Sequence, residues 1–255
     1  MAAIFRDPFL SAQLAIRGGT VLHKVHLAPA VRYSEDVDLV LVGDRPIRHI
    51  VAALRRVLTP VLGKAKASAL ATVQLAVRNV VQQSRVARLV YEYRPTVQPP
   101  STMRIKIEVN YTERTPFYSV VSLPYRPAPS DGTEPVILRS YDLDEMLGTK
   151  MRALLQRTAG RDLFDLSHAW HRHLASVEGG GAGLVNPQRV VDAFLHYMRR
   201  EGTTVTRDMS DRALTQKLRS SSFRSDMAVL LPSDISYDVD TAAATVRTIF
   251  LARLP

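Results

Sequence analysis

Two aspartates stand two residues apart in Arg32-Tyr33-Ser34-Glu35-Asp36-Val37-Asp38. On an extended strand, side chains at i and i+2 share a face, so Asp36 and Asp38 present two carboxylates side by side where a strand begins. Such neighbours repel, and each raises the other's proton affinity. A bound divalent cation removes that cost, and hard oxygen ligands suit Mg²⁺. The alternative is a pair of solvated acids at a strand entrance. Upstream lies Arg17-Gly18-Gly19-Thr20, followed by Val21-Leu22-His23-Lys24. A Gly-Gly turn between a strand and a helix lets backbone N–H groups approach a phosphate, and the helix N-terminus adds favourable partial charge. Thr20 offers a hydroxyl, and Lys24 sits one turn further on. The same pair of glycines also serves as a plain turn. Glu108 lies on the polar side of an alternating segment, Arg104–Asn110. If that strand pairs beside Asp36 and Asp38, Glu108 is a third ligand for the same metal. Otherwise it is an exposed acid paired with Arg104 or Lys106.

The C-terminal half adds two candidates. Leu143, Leu147 and Leu154 mark an apolar helical stripe, and Lys150 falls on it. An inward lysine must meet an anion or snorkel out. Arg161-Asp162-Leu163-Phe164-Asp165-Leu166 follows, with Asp162 and Asp165 on one helix face. Arg161 and Asp165 also have the spacing of an ordinary i,i+4 ion pair. His168, His171 and His173 crowd one helix, but no cysteine or well-spaced acid completes a tetrahedral zinc set. Trp170, the single tryptophan, reads as core. Tyr91, Tyr93 and Arg94 resemble a stacking platform for bases, or ordinary strand packing.

These residues need a scaffold, and the pattern supplies one. Val37–Val42 reads as a buried strand ended by Gly43-Asp44. Pro46 opens a helix through Leu62, with Ile50, Leu54, Val57, Leu58 and Val61 on its stripe. Ala71–Val81 and Val86–Arg94 are β-rich, Pro95–Thr102 is a loop, and Pro124–Pro135 holds four prolines and reads as a connection. Beyond Ser140 the pattern turns helical. Asp142 caps a helix to about Arg157, with Glu145 placed for a capping box. A second helix runs from Arg161 to about Leu174. Gly179-Gly180-Gly181-Ala182-Gly183 is a connector, and Asn186-Pro187 starts a helix to Arg200. Further helices fall near 208–219 and 239–253. The expected fold class is α+β: an N-terminal mixed-sheet domain over 1–135, then a C-terminal helical bundle over 136–255 that completes the active site.

The 255 residues allow one large domain or two small ones, with a core that needs no covalent staples. The absence of cysteine excludes disulfide scaffolds, thiolate zinc sites and cysteine nucleophiles. No apolar run reaches the length of a bilayer span, and Met1-Ala-Ala-Ile-Phe-Arg-Asp-Pro lacks the pattern of a secretory signal. A cytoplasmic location without membrane partners is expected. The net charge of +10, from 34 Lys and Arg against 24 Asp and Glu, favours polyanionic partners such as nucleic acid, or serves solubility alone.

Taken together, Gly18-Gly19-Thr20-x-x-x-Lys24, Arg32-x-Ser34-x-Asp36-x-Asp38, Lys150-x-x-Ala153-Leu154-x-x-Arg157 and Arg161-Asp162-Leu163-Phe164-Asp165-Leu166 resemble the AbiEii/AbiGii-type nucleotidyltransferases. This toxin family includes the mycobacterial MenT group and lies within the polymerase-β-like superfamily. The motifs occur in the family's order over residues 17 to 166; beyond about 175 only a generic helical tail remains. The resemblance implies that Asp36 and Asp38 bind the catalytic Mg²⁺ (or Mn²⁺), with Glu108 in place of the commoner third aspartate. It implies that Gly18, Gly19, Thr20, Lys24, Arg32 and Ser34 bind the nucleoside triphosphate. Lys150 and Asp162, with Asp165 as second choice, map to residues required for activity. The implied reaction moves a nucleoside monophosphate to an acceptor, a tRNA 3′ end, and the implied partner is a cognate antitoxin. An idle module binding RNA or a protein, and transfer to a protein hydroxyl, are the competing readings.

Overall fold

The computed structural model describes residues 1–34, 36–77, 80–93, 103–127 and 134–255, with the backbone alone for 67–77, 80–84, 93 and 103. Chain contacts divide it into two compact units. The first comprises Met1–Val25, Ser34–Val73 and Gln83–Tyr141; the second comprises His26–Tyr33, Gln74–Gln82 and Asp142–Pro255.

Among the described residues the first unit holds most of a mixed sheet of seven strands: β1 (Leu14–Arg17), β2 (Val37–Leu41), β3 (Ala67–Val77), β4 (Val80–Tyr93), β5 (Met103–Asn110), β6 (Val121–Tyr125) and β7 (Val136–Ser140), in the order β3-β4-β5-β2-β1-β7-β6, with residues 74–77 of β3 and 80–82 of β4 assigned to the second unit. Leu14, Ala15 and Ile16 are all fully buried. A strand apolar on both faces belongs inside a sheet, and β1 sits between β2 and β7. β1 runs antiparallel to β2 and β2 parallel to β5, with Asp38 opposite both Arg17 and Glu108. Pro124, read from sequence as the start of a connection, is instead within β6. That strand is at the sheet edge, where a missing N–H costs no ladder bond. Arg94, the loop Pro95–Thr102 and the middle of the Pro124–Pro135 stretch lie outside the described residues, as does the side chain of Tyr93.

Among the described residues, four helices accompany the sheet: α1 (Ala2–Arg6), α2 (Pro8–Gln13), the short α3 (Gly19–Val21) with a π-helical turn Leu22–His26, and α4 (Ile47–Leu62). The helices over residues 2–13 are an addition to the elements expected from sequence. Their signal was Asp7-Pro8: the Asp7 carboxylate accepts from the Leu10 N–H, and Pro8 opens α2. α4 buries Ile50, Leu54 and Leu58 as expected, but Val61 is 65 % exposed, so the core face ends one turn before the helix does.

The second unit holds α5 (Leu143–Gln156), α6 (Gly160–Glu178), α7 (Pro187–Arg200), α8 (Arg207–Leu218), α9 (Ser221–Ser225), α10 (Val239–Ile249) and a 3₁₀ turn, Leu251–Arg253. α5 packs against α7 and α6, and α6 against α10. Asp142 caps α5 by accepting from the Asp144 and Glu145 N–H groups, and Asn186 caps α7 in the same way. α6 runs one turn past the expected Leu174 because nothing interrupts it before Gly179. α9 is too short to have left a periodic signal. Trp170 is half-buried rather than core and stacks on His173 at 4.5 Å. No helix of the described residues is long and apolar enough to cross a membrane.

Candidate active site

In the first unit the Gly-Gly turn and the Asp-x-Asp strand meet. Gly18 follows β1 with φ +86° and ψ −176°, a conformation essentially reserved for glycine. A Cβ on it would lie 2.1 Å from Asp38 Oδ2. Only glycine lets that carboxylate close on the turn. Gly19 and Thr20 open α3 and are buried. The Thr20 hydroxyl is 2.9 Å from that of Ser34 and donates to the Asp36 carbonyl. Thus Gly18, Gly19, Thr20, Ser34, Asp36 and Asp38 are drawn together from both sides of the connection between β1 and β2. Lys24 stands exposed on the π-helical turn.

Register decides the acids' company. Asp38 faces Glu108 across β2 and β5, so Lys106, two residues earlier, falls beside Asp36. Its Nζ lies 3.2 Å from Asp36 Oδ1. That oxygen is buried and accepts no hydrogen bond. Glu108 pairs with Arg88 on β4 at 2.6 Å, not with Arg104 or Lys106; Arg104 bonds Glu92 instead. The described residues contain no group of three or more His, Asp or Glu able to hold a metal ion. Asp36 and Asp38 are the candidate donors for a divalent cation, and Glu108, opposite Asp38 in the register, is engaged by Arg88. The chemistry fits: two hard carboxylates share one face, and Asp38 sits where a Cβ on Gly18 would lie.

In the second unit a buried ion cluster surrounds the other candidates. Lys150 Nζ lies 2.7 Å from Asp165 Oδ2 and 3.2 Å from Asp162 Oδ1, and both carboxylates are wholly buried. Arg157 holds Asp162 through Nε at 2.7 Å and Nη2 at 2.8 Å. Arg32 clamps Asp165 through Nε at 2.7 Å and Nη2 at 2.8 Å. Burial works to raise the Asp162 pKa, but Lys150 and Arg157 outweigh it and hold the carboxyl below its ordinary value. Burial likewise works against the Arg32 cation, and Asp165 more than restores it. Lys150 faces inward, as its stripe position required, and it meets carboxylates. Arg32, which the resemblance sets at the nucleotide, spends its guanidinium on Asp165. The i,i+4 pairing of Arg161 with Asp165 does not form; the Arg161 N–H donates to Asp226. No spacing in the sequence announces Arg32–Asp165 or Lys106–Asp36. Tyr91 is buried and offers no stacking face.

A glycine turn leading into a helix, set against paired carboxylates where the adjacent strand of a mixed sheet begins, is the arrangement an α/β protein needs to hold phosphate and a divalent cation. The family model for the nucleotidyltransferase AbiEii toxin of type IV toxin–antitoxin systems matches residues 1–245, and the chain belongs to that family. Its fold is shared with MenT4, a nucleotidyltransferase toxin from Mycobacterium tuberculosis H37Rv. The TM-score is 0.59 at 17 % identity, over 100 % of this chain and 82 % of that one. No curated protein sequence matches.

Proposed function

We propose that this chain transfers a nucleoside monophosphate from a nucleoside triphosphate to the 3′ end of tRNA, releasing pyrophosphate and so halting translation, and that a cognate antitoxin opposes it. The observation that carries the reading is the Asp38 carboxylate seated against Gly18, which brings an acid to the turn best suited to a polyphosphate. Family membership supports the reaction class, and the +10 charge supports a polyanionic acceptor.

In this reading the backbone N–H groups of Gly18 and Gly19, the α3 terminus and Lys24 bind the β- and γ-phosphates. Thr20 and Ser34 orient that turn. The acceptor hydroxyl attacks the α-phosphorus as the bond to the β-phosphate oxygen breaks. Asp36 and Asp38 would hold Mg²⁺ or Mn²⁺, whose chemistry when bound is charge neutralisation at phosphate and a lowered pKa for the attacking hydroxyl. Positioning by the chain carries most of the remainder. Lys150, Asp162 and Asp165 serve by fixing the helical framework.

The test incubates pure protein with total RNA and each labelled triphosphate in turn. Label should enter tRNA with one or a few of the four nucleotides, and Asp36→Ala or Asp38→Ala should abolish it. Label entering protein alone would replace the acceptor; transfer at the parent rate by either variant would overturn the site.

A further inference from the structure

The chain's charge is not spread evenly. From Arg45 to Tyr91, 47 residues, there is no Asp or Glu, while nine of the 34 Lys and Arg lie there. The rest of the chain, 25 cations against 24 acids, is almost neutral. A surface evolved only for solubility intersperses both signs, because massed like charges repel.

The fold gathers this segment on the first unit. Arg48, Ala52 and Arg55 follow i, i+4, i+7 spacing along the outer side of α4, and all three are exposed. Lys64 and Lys66 continue past the helix end, also exposed, and the Lys66 N–H donates to the Val90 carbonyl, tying that stretch to β4. Arg85 shares the strand face of Tyr91 and is exposed. Arg56 and Arg88 are neutralised by Asp7 and Glu108. Arg48, Arg55, Lys64, Lys66 and Arg85 form no ion pair among the described residues.

We infer that the outer side of α4, with Lys64, Lys66 and Arg85, is a docking surface for the phosphodiester backbone of RNA. This rests on the RNA-acceptor reading above and deepens it. Cations on flexible stems that contact phosphate oxygens give affinity without reading sequence. Asp38, Glu108 and Arg88 occupy the sheet face opposite to Tyr91, so these cations do not serve the triphosphate. Their loss should weaken RNA binding and leave triphosphate binding alone.

The experiment measures tRNA affinity against salt concentration for four proteins: the parent; Arg48→Ala with Arg55→Ala, Lys64→Ala and Lys66→Ala; Arg48→Lys with Arg55→Lys; and a control, Arg212→Ala with Arg219→Ala, on α8 and at its C-terminal end. Each lost phosphate contact removes about 0.7–0.9 from the slope of log affinity against log salt, so the fourfold variant should lose about 3–3.6 and bind about tenfold or more weakly. The control should keep the parent slope. Arg48→Lys with Arg55→Lys should also keep it, which separates charge from folding. The rise in melting temperature with triphosphate should match in all four proteins. If the fourfold variant binds tRNA like the control, the surface is wrong while the RNA reading stands. A parent with flat salt dependence overturns both. Parent binding to polyglutamate as tight as to tRNA would make the occupant an acidic polypeptide and overturn the inference.

Discussion

Gly18 and Gly180 both adopt positive φ, +86° and +77°, yet they are not equivalent residues. An added Cβ at Gly180 meets nothing within 4 Å, whereas at Gly18 it strikes the Asp38 carboxylate. Gly180→Ala should therefore cost only the backbone strain, about 1–3 kcal/mol. Gly18→Ala should cost more in urea unfolding and also remove transfer, because Asp38 must leave its seat. Equal losses for the two would separate Gly18 from the site. Lys150 makes the second case at this scale. Removing one member of a buried ion cluster strands the opposite charge, so Lys150→Met should destabilise by about 3–5 kcal/mol. The Asp162 pKa is depressed in the folded state, so its contribution is complete above about pH 4 and is lost as pH falls through the folded value. Urea titrations between pH 3 and 6 should show that acid limb flattened in Lys150→Met. An unchanged limb would show that Arg157 alone sets the shift.

Among the elements, α5 and α7 pack closely at Gly148. A Cβ at Gly148 would lie 2.8 Å from Ala193 Cβ and 2.9 Å from both Phe194 N and Val190 O. Glycine inside a helix ordinarily costs about 1 kcal/mol relative to alanine. Here the sign should reverse: Gly148→Ala should lower the denaturation midpoint, because backbone rather than a flexible side chain must give way. A stabilised variant would mean that α7 shifts easily. The helices themselves were legible in sequence because their caps are local. Asn186-Pro187 marked α7, and Asp142 marked α5. Glu145, placed for a capping box, accepts from the Tyr197 hydroxyl of α7 instead. That choice depends on a helix 52 residues away, beyond any local signal.

For the molecule as a whole, a ligand that binds only the folded state must raise its melting temperature. Triphosphate with Mg²⁺ should do so in the parent, and less or not at all in Asp36→Ala and Asp38→Ala. Neither variant should melt much below the parent without nucleotide, because paired carboxylates at a site repel rather than stabilise. A large loss of stability in both would make the acids structural.

Local chemistry let the sequence alone determine the turn at Gly18-Gly19, the shared face of Asp36 and Asp38, the alternation of Arg104–Asn110, the starts of α5 and α7 and the inward aspect of Lys150. Each depends only on residues within a few positions. Tertiary structure decided which charges meet. Glu108 went to Arg88 because β4 and β5 pair in that register, and Lys106 went to Asp36 because β5 lies parallel to β2. Arg32 and Asp165 meet across 133 residues. Long-range register and packing choose among several equally plausible partners, and opposite charges look alike in sequence until the fold sets their distance.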